Sequence, residues 1–381
     1  MGWGIYVHIP FCVRRCPYCD FNTYAGLDDL KQPYVEALTK EISKAGEKLG
    51  KPVARSVFFG GGTPTTLSGT QLCTILHEIR ESFELPPDAE ISSEANPGTV
   101  DSERFEELRD CGFNRLSLGV QSFDDAELRF LGRIHSAAEA IAAFEIARKA
   151  GFENINIDLM FGLPQQPVES WSNSIEKALA LGPEHLSLYA LTVEEGTPLW
   201  RWTQEGKVPP PDEDRSAIMY ERACEMLDEA GYRHYEISNW CRRDGMADFR
   251  CQHNLIYWRH ERYLGFGAGA HSFDGKERWW NVGKVEQYIR TVERGGNPVE
   301  SKEVLGQRTL MGEKMMLGLR LLEEGVPDEQ FREEFGAGIM EAFRDETEDL
   351  IGKGLLEWNR GRLRLTRRAW LISNQVFVQF V

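Results

Sequence analysis

Short apolar runs and amphipathic stretches alternate along the first half of the chain. Ile5–Ile9, Ser56–Phe59, Glu90–Glu94, Arg115–Val120, Asn154–Met160 and His185–Leu191 are apolar or β-branched runs bounded by Gly, Pro or Asn, which predicts six strands. Between them, Pro33–Leu49, Gly69–Phe83, Asp101–Asp110, Ala137–Ala150 and Val168–Ala180 have helical spacing. Ser68 and Asp101 stand where N-caps belong, and Gly50, Gly112 and Gly151 where helices stop. Repeated βα units imply parallel strands with right-handed crossovers. Six of them predict an α/β fold, an open partial (β/α)6 TIM-like barrel, with ligands at the C-terminal ends of the strands.

After Leu191 the pattern loosens, and three prolines at 209–211 precede a helix over Glu213–Ala230. Helical spacing returns at Gln307–Leu322, Pro327–Phe335 and Gly338–Gly352, followed by a hairpin at Leu355–Leu365 and a last helix. Helices ending in a small hairpin predict a winged-helix-like C-terminal unit. The expected division is a barrel over 1–238, a segment covering it over 239–300, and a helical domain over 301–381.

The 381 residues are 41% apolar and 27% charged, an ordinary globular profile. No apolar run is long enough to cross a bilayer, and the N-terminus has no charged leader, so a cytoplasmic location is expected. A net charge of −16 argues against a broad nucleic-acid surface. In Arg360-Gly361-Arg362-Leu363-Arg364-Leu365, strand alternation would set three arginines on one face and two leucines on the other. A solvated wing over a small core is the favoured reading there.

Three of the eight cysteines are tightly spaced: Cys12, Cys16 and Cys19, as C-x3-C-x2-C with Pro10 and Pro17 beside them. One short loop can thereby wrap three thiolates around a metal centre. Structural zinc usually takes four ligands, and residues 20 to 30 offer no fourth Cys or His. A four-iron cluster could use three thiolates and leave one iron open. The other five, Cys73, Cys111, Cys224, Cys241 and Cys251, are scattered without a disulfide-like framework, as a reducing compartment would allow.

Just after the second strand comes Gly60-Gly61-Gly62-Thr63-Pro64-Thr65, whose glycines allow close backbone approach and free N–H groups. It is not a Walker A loop, since no Gly-Lys-Ser/Thr follows. Glu94, Gln121, Arg133 and Asp158 lie in or beyond the later strands. Singly, each could be a structural hydrogen bond. Asp158 in an apolar strand needs a partner, and all four converge on the barrel mouth.

Tyr6-Val7-His8-Ile9-Pro10-Phe11-Cys12, the cysteine triad, the Gly-Gly-Gly-Thr-Pro-Thr run and these four polar residues together resemble the oxygen-independent coproporphyrinogen III oxidase family of radical S-adenosylmethionine (SAM) proteins. The resemblance implies a [4Fe-4S] cluster on Cys12, Cys16 and Cys19, and SAM contacts from Tyr6, Gly61, Gly62, Thr63, Glu94, Gln121, Arg133 and Asp158. Two departures separate branches of the family. The decarboxylating oxidases resemble C-x3-C-x2-C-x-C, where this chain has Phe21 at the last position, and they carry an N-terminal extension. The chain is thus similar to the HemW-type heme-chaperone branch, which implies heme, a heme-acceptor protein, a homodimer and no coproporphyrinogen oxidase activity.

His253-Asn254-Leu255-Ile256-Tyr257-Trp258 resembles the H-N-x-x-Y-W element associated with heme in that branch. It implies heme contacts from His253, Asn254, Tyr257 and Trp258. Arg259, His260 and Arg262 follow at once, and their charge suits them to neutralise propionates. The residues themselves also allow a helix cap and packing over the barrel. Heme carriage leads; radical chemistry on a porphyrinogen is the alternative, and a structural zinc protein the third.

Overall fold

The computed structural model describes residues 2–243, 245 and 247–381. The six predicted strands form, within a residue or two, as β1 (Trp3–Ile9), β2 (Ala54–Gly61), β3 (Glu90–Ala95), β4 (Arg115–Gln121), β5 (Ile155–Phe161) and β6 (His185–Ala190). Each pairs in parallel with the next. Serine caps the helix Gly69–Ser82 with a full capping box, Asp101 caps Ser102–Cys111, and Gly50 and Gly112 end their helices in the left-handed conformation.

The sheet is larger than six strands. β7 (Tyr232–Glu236) and β8 (Asn239–Arg242) add an antiparallel hairpin beyond β6. On the far side β9 (Tyr263–Phe266) lies parallel to β1, followed by antiparallel β10 (His271–Phe273), β11 (Glu277–Asn281) and β12 (Val299–Val304). The order is β12-β11-β10-β9-β1-β2-β3-β4-β5-β6-β8-β7, with β12 and β7 as unjoined edges, so the barrel stays open. These flanking strands are three to six residues long and rich in Trp, Tyr and charge, and local pattern alone does not say which strand they join.

Alternation along β1–β6 decides what lies inside. Ile5, Val7, Val57, Phe59, Leu116, Leu118, Ile155, Ile157 and Leu186 are fully buried and pack beneath the helices. Their alternates, among them Glu94, Ser117, Asp158 and Ser187, line the concave side. The apolar face makes the core, and the polar face makes the site.

A second core, around Met315, Phe331, Ile339, Phe343 and Leu363, joins the C-terminal helices to a three-stranded sheet of Val326–Pro327, Arg362–Leu365 and Leu356–Asn359. Leu363 and Leu365 face inward as alternation requires, but Arg360 sits in the hairpin turn with φ +50° and is not on the strand. The expected helix over Gly338–Gly352 breaks into Ile339–Ala342 and Arg344–Gly352 because Phe343 leaves helical geometry to bury its ring. Helices Asp125–Phe130 and Pro198–Gln204 were not signalled by periodicity; both are too short to show it. One expectation for the cysteines is corrected. Cys73 and Cys111, on adjacent helices with Cα atoms 5.8 Å apart, form a disulfide.

Candidate functional site

The cysteine loop is held at both ends by backbone. Phe11–Cys12 pairs with Tyr24–Ala25, and the Asn22 amide donates to the carbonyls of Ala268 (3.1 Å) and Gly283 (3.0 Å). Arg14 donates to the carbonyls of Gly132 and Arg133, fastening the loop to the far side of the barrel mouth. Cys12, Cys16 and Cys19 are half-buried and line one cavity of about 510 Å3. Thr63 Oγ1 lies 3.9 Å from Cys12 Sγ, and Arg133 Nη1 3.6 Å from Cys16 Sγ, so donors already face two of the sulfurs. Three thiols on an eight-residue loop, with sulfur-facing donors, fit a cluster that keeps one iron free.

The glycine run acts differently from its expected role as an N–H donor to ligand. Gly62 N–H donates to Ile9 O and Thr63 N–H to Phe11 O, both at 2.8 Å, and Gly61 N–H donates to Glu94 Oε2 at 3.2 Å. These amides are engaged in fixing the start of the cysteine loop and one carboxylate. Gly61 has φ +113°, and a Cβ there would land on the His8 ring; a Cβ at Gly62 would land on the Phe11 carbonyl. Close approach of two backbones is what the glycines permit. The Gly62 carbonyl has no donor among the described residues and can accept from an ammonium group.

Gly61, Gly62, Thr63, Glu94, Gln121, Arg133 and Asp158 line the same cavity as the cysteines. Tyr6 does not. Its hydroxyl bonds His8 Nδ1 at 3.0 Å, and its ring stacks on Phe58 in the wall. Gln121 has φ +71°, at an irregularity in the β4–β5 register, a strained conformation that turns the end of the strand at the mouth. Arg133 Nη2 donates to Gly119 O at 2.7 Å, and its Nε has no partner. Asp158 accepts from Ser117 Oγ (3.0 Å) and Asn156 Nδ2 (2.8 Å). Burial, then the neighbouring Asp158, pushes the Glu94 carboxyl up to about 8, and burial raises Asp158 as well. Two carboxyls held reluctant to ionise favour a cationic ligand, whose charge would restore both.

The H-N-x-x-Y-W residues form the helix Gln252–Trp258, which plugs the barrel floor. Glu90, at the start of β3, caps it by accepting from the N–H groups of Gln252 and His253, both at 3.0 Å, and lies 3.8 Å from the buried Arg115. His253 is 1% exposed, with Nδ1 on Ser56 Oγ and Nε2 on Tyr257 Oη, each at 2.9 Å. Burial, then Arg115, pushes its pKa down to about 3. Asn254 reaches the cavity, whereas Trp258 points away under the Arg320 guanidinium. The four residues therefore share a helix but no common face, and both nitrogens of His253 are occupied. Arg259 is engaged by Glu324, and Arg262 lies over Trp3, so these two diverge as well.

Sequence reading passed over a hydrogen-bonded chain linking cavity and floor. Asn156 joins Asp158 to His185 (2.6 Å), His185 joins Tyr235 (2.8 Å), and Tyr235 Oη accepts from Cys251 N at the start of the plug (3.3 Å). Its signal was present: polar residues at every second position of β3 to β6, including Glu90, Arg115, Asn156 and His185.

The model of the Radical SAM superfamily matches residues 6–178, and that of the HemN C-terminal domain residues 305–372. Heme chaperone HemW of Bacillus subtilis is 39% identical over 377 residues, covering 99% of this chain and 98% of that protein. The Escherichia coli heme chaperone HemW is 37% identical, at 99% and 98% coverage. Mouse radical S-adenosyl methionine domain-containing protein 1, mitochondrial, is 36% identical over 93% of this chain and 81% of its own length. The fold is that of the E. coli coproporphyrinogen III oxidase structure, with a TM-score of 0.85 at 24% identity, covering 100% of this chain and 90% of that one. With such identity over nearly its whole length, the chain belongs to the HemW heme chaperone family, within the radical SAM superfamily.

Proposed function

We propose that this chain is a heme carrier that binds a [4Fe-4S] cluster and SAM and passes heme to an acceptor protein. The observation that carries the SAM and cluster part is the single cavity shared by the three thiols, Glu94, Gln121, Arg133 and Asp158. Heme carriage rests on the likeness to the heme chaperones of Bacillus subtilis and Escherichia coli. Cys12, Cys16 and Cys19 would hold the cluster, which supplies an open iron for SAM's amino and carboxylate groups and an electron for its cleavage. Arg133 would hold the carboxylate, Gly62 O and the Glu94 carboxylate would accept from the N–H groups of the amine, and Asp158 from the ribose hydroxyls, with Gln121 and Thr63 completing the wall. Tyr6 would act through the wall, by positioning His8.

Phe21, 63% exposed at the cavity edge, stands where the oxidases have a further cysteine, which supports carriage over porphyrinogen oxidation. No helix among the described residues is long and apolar enough to cross a membrane. We read the protein as cytoplasmic and homodimeric, with residues 1–238, 239–300 and 301–381 as its three functional divisions.

The test is anaerobic reconstitution with iron and sulfide, then SAM, reductant and heme, with and without coproporphyrinogen III. Stoichiometric heme uptake without porphyrinogen turnover is expected. Steady 5′-deoxyadenosine formation coupled to porphyrinogen consumption would replace the carrier by a radical oxidase.

A further inference from the structure

Strand register carries the helix-facing side of the sheet out to its far edge. Ile5, buried on that side of β1, pairs with Leu264 of β9. The ladders beyond place Ser272, Trp279 and Lys302 on the same face of β10, β11 and β12. There a cavity of about 730 Å3 opens between these strands, the helix Lys31–Leu49 and the loop after the helix Val285–Glu293. It is larger than the barrel cavity and lies on the opposite side of the sheet. Its volume falls within the usual ligand range of roughly 300–1,000 Å3.

Its charges are unevenly paired. The wall carboxylates are all engaged. Glu41 accepts from Gly267 N–H, Asn281 Nδ2 and Tyr288 Oη, Asp274 from the turn amides of Lys276 and Glu277, and Glu277 pairs with Lys302. Lys44, Lys48 and Arg262 pair with no carboxylate among the described residues. Lys44 Nζ donates to the Gly295 carbonyl at 3.2 Å, and Arg262 lies 5.1 Å over the Trp3 ring. Arg290 and Arg294, also without a carboxylate among the described residues, line an adjoining hollow that shares Gly296. Six cations thus face three carboxylates, in a chain whose net charge is −16. Such a local reversal of sign draws in anions.

Lys44 and Lys48 stand one helical turn apart, so two exposed ammonium groups lie side by side at a cost to the helix that a bound polyanion would remove. Beneath them the floor is apolar, with Leu264, Phe266 and Val292 buried. Trp279 is half-buried on the wall, and its indole stacks on no other ring among the described residues. An open aromatic face beside paired ammonium groups suits a flat ring that carries more than one phosphate. SAM, cationic at its sulfur, does not suit this rim, and a lone carboxylate would answer only one of its charges.

We propose that this outer cavity binds a nucleoside di- or triphosphate, with the base against Trp279 and the phosphates on Lys44 and Lys48. Binding makes and breaks no covalent bond, and the heme-carrier reading does not depend on it. The wall the ligand would touch also tethers the cysteine loop. Asn281 and Glu41 hold Gly267, and the next carbonyl, that of Ala268, accepts from Asn22.

The experiment is anaerobic isothermal titration of the full-length, reconstituted and desalted chain with ATP, ADP, adenosine and tripolyphosphate. It is run on the natural sequence, Lys48→Ala and Trp279→Leu. One ATP or ADP per chain is expected, with adenosine and tripolyphosphate each weaker by about tenfold or more. Lys48→Ala should weaken ATP about tenfold, as loss of one charge-assisted pair requires, and leave SAM affinity unaltered. Trp279→Leu should weaken ATP and leave tripolyphosphate unaltered. Lys48 is exposed, so its variant tests the site even if Trp279→Leu does not fold. Tripolyphosphate binding as tightly as ATP would reduce the cavity to a bare charged surface and overturn the proposal. Displacement of ATP by SAM or by heme would overturn it too, by moving the nucleotide into another ligand's site. So would an absence of ATP binding, or an ATP affinity unaltered in Lys48→Ala.

Discussion

Glu94 shows what position does to a single carboxyl. Near 4.5 in an unfolded chain, it is raised to about 8 by burial and by Asp158. A raised folded-state value means that the neutral form belongs to the fold. Its contribution is complete below about pH 4.5 and is lost as pH climbs through 8. Glu94→Gln should therefore flatten the fall in stability of the SAM-free protein between pH 5 and pH 8. The variant should gain on the order of 1–3 kcal/mol over the natural chain at pH 8, discounted for a cavity open to water, and lose SAM affinity. Thermal melts at the two pH values, with isothermal titration of SAM, check both. Cys16→Ser should abolish the brown absorbance of the reconstituted cluster, and full iron and sulfide content in that variant would refute the ligand set. At this scale the cysteine spacing and the converging polar residues were legible directly. For Tyr6, alternation gives the face of the strand but does not say that its hydroxyl is taken up by His8.

Among elements, the plug helix depends on one side chain from another strand. Glu90 accepts from two of its N-terminal amides and neighbours Arg115, which is 2% exposed. Removing it leaves a buried cation and two donors unpaired, so Glu90→Ala should cost about 3–5 kcal/mol in urea unfolding. Glu90→Gln, which keeps an acceptor oxygen, should cost less. Equal losses would show that only packing matters there. Gly61→Ala should fail in a different way, with the cysteine loop displaced and cluster yield reduced, because φ +113° and the His8 ring leave no room for a methyl group. The six central strands could be read from the chain because both faces of a covered parallel strand show, one apolar and one polar in alternation. The flanking strands could not, since four residues of Tyr263–Phe266 fit any sheet edge until β1 offers its free side.

Across the whole molecule, the Cys73–Cys111 link closes a loop of 38 residues between two surface helices. A closure of that length stabilises by about 2–4 kcal/mol, chiefly through the unfolded chain. Dithiothreitol should lower the melting temperature of air-exposed natural protein and leave Cys73→Ala unchanged, with cluster content equal in both. The same scale holds the junction between the two cores, where Cys224 and Arg367, 143 positions apart by their numbers, come to one cavity.

By itself the sequence determined the parallel α/β barrel, the three-thiol loop and the polar face of the strands. Those follow from local spacing, through period-two alternation and short loops that need no distant partner. Tertiary structure alone decided that the glycine amides serve the cysteine loop, that Glu90 anchors the plug, and that His253 is enclosed with both ring nitrogens engaged. Each of these depends on which buried polar groups find partners, and a buried group takes its partner from whichever strand the fold brings alongside.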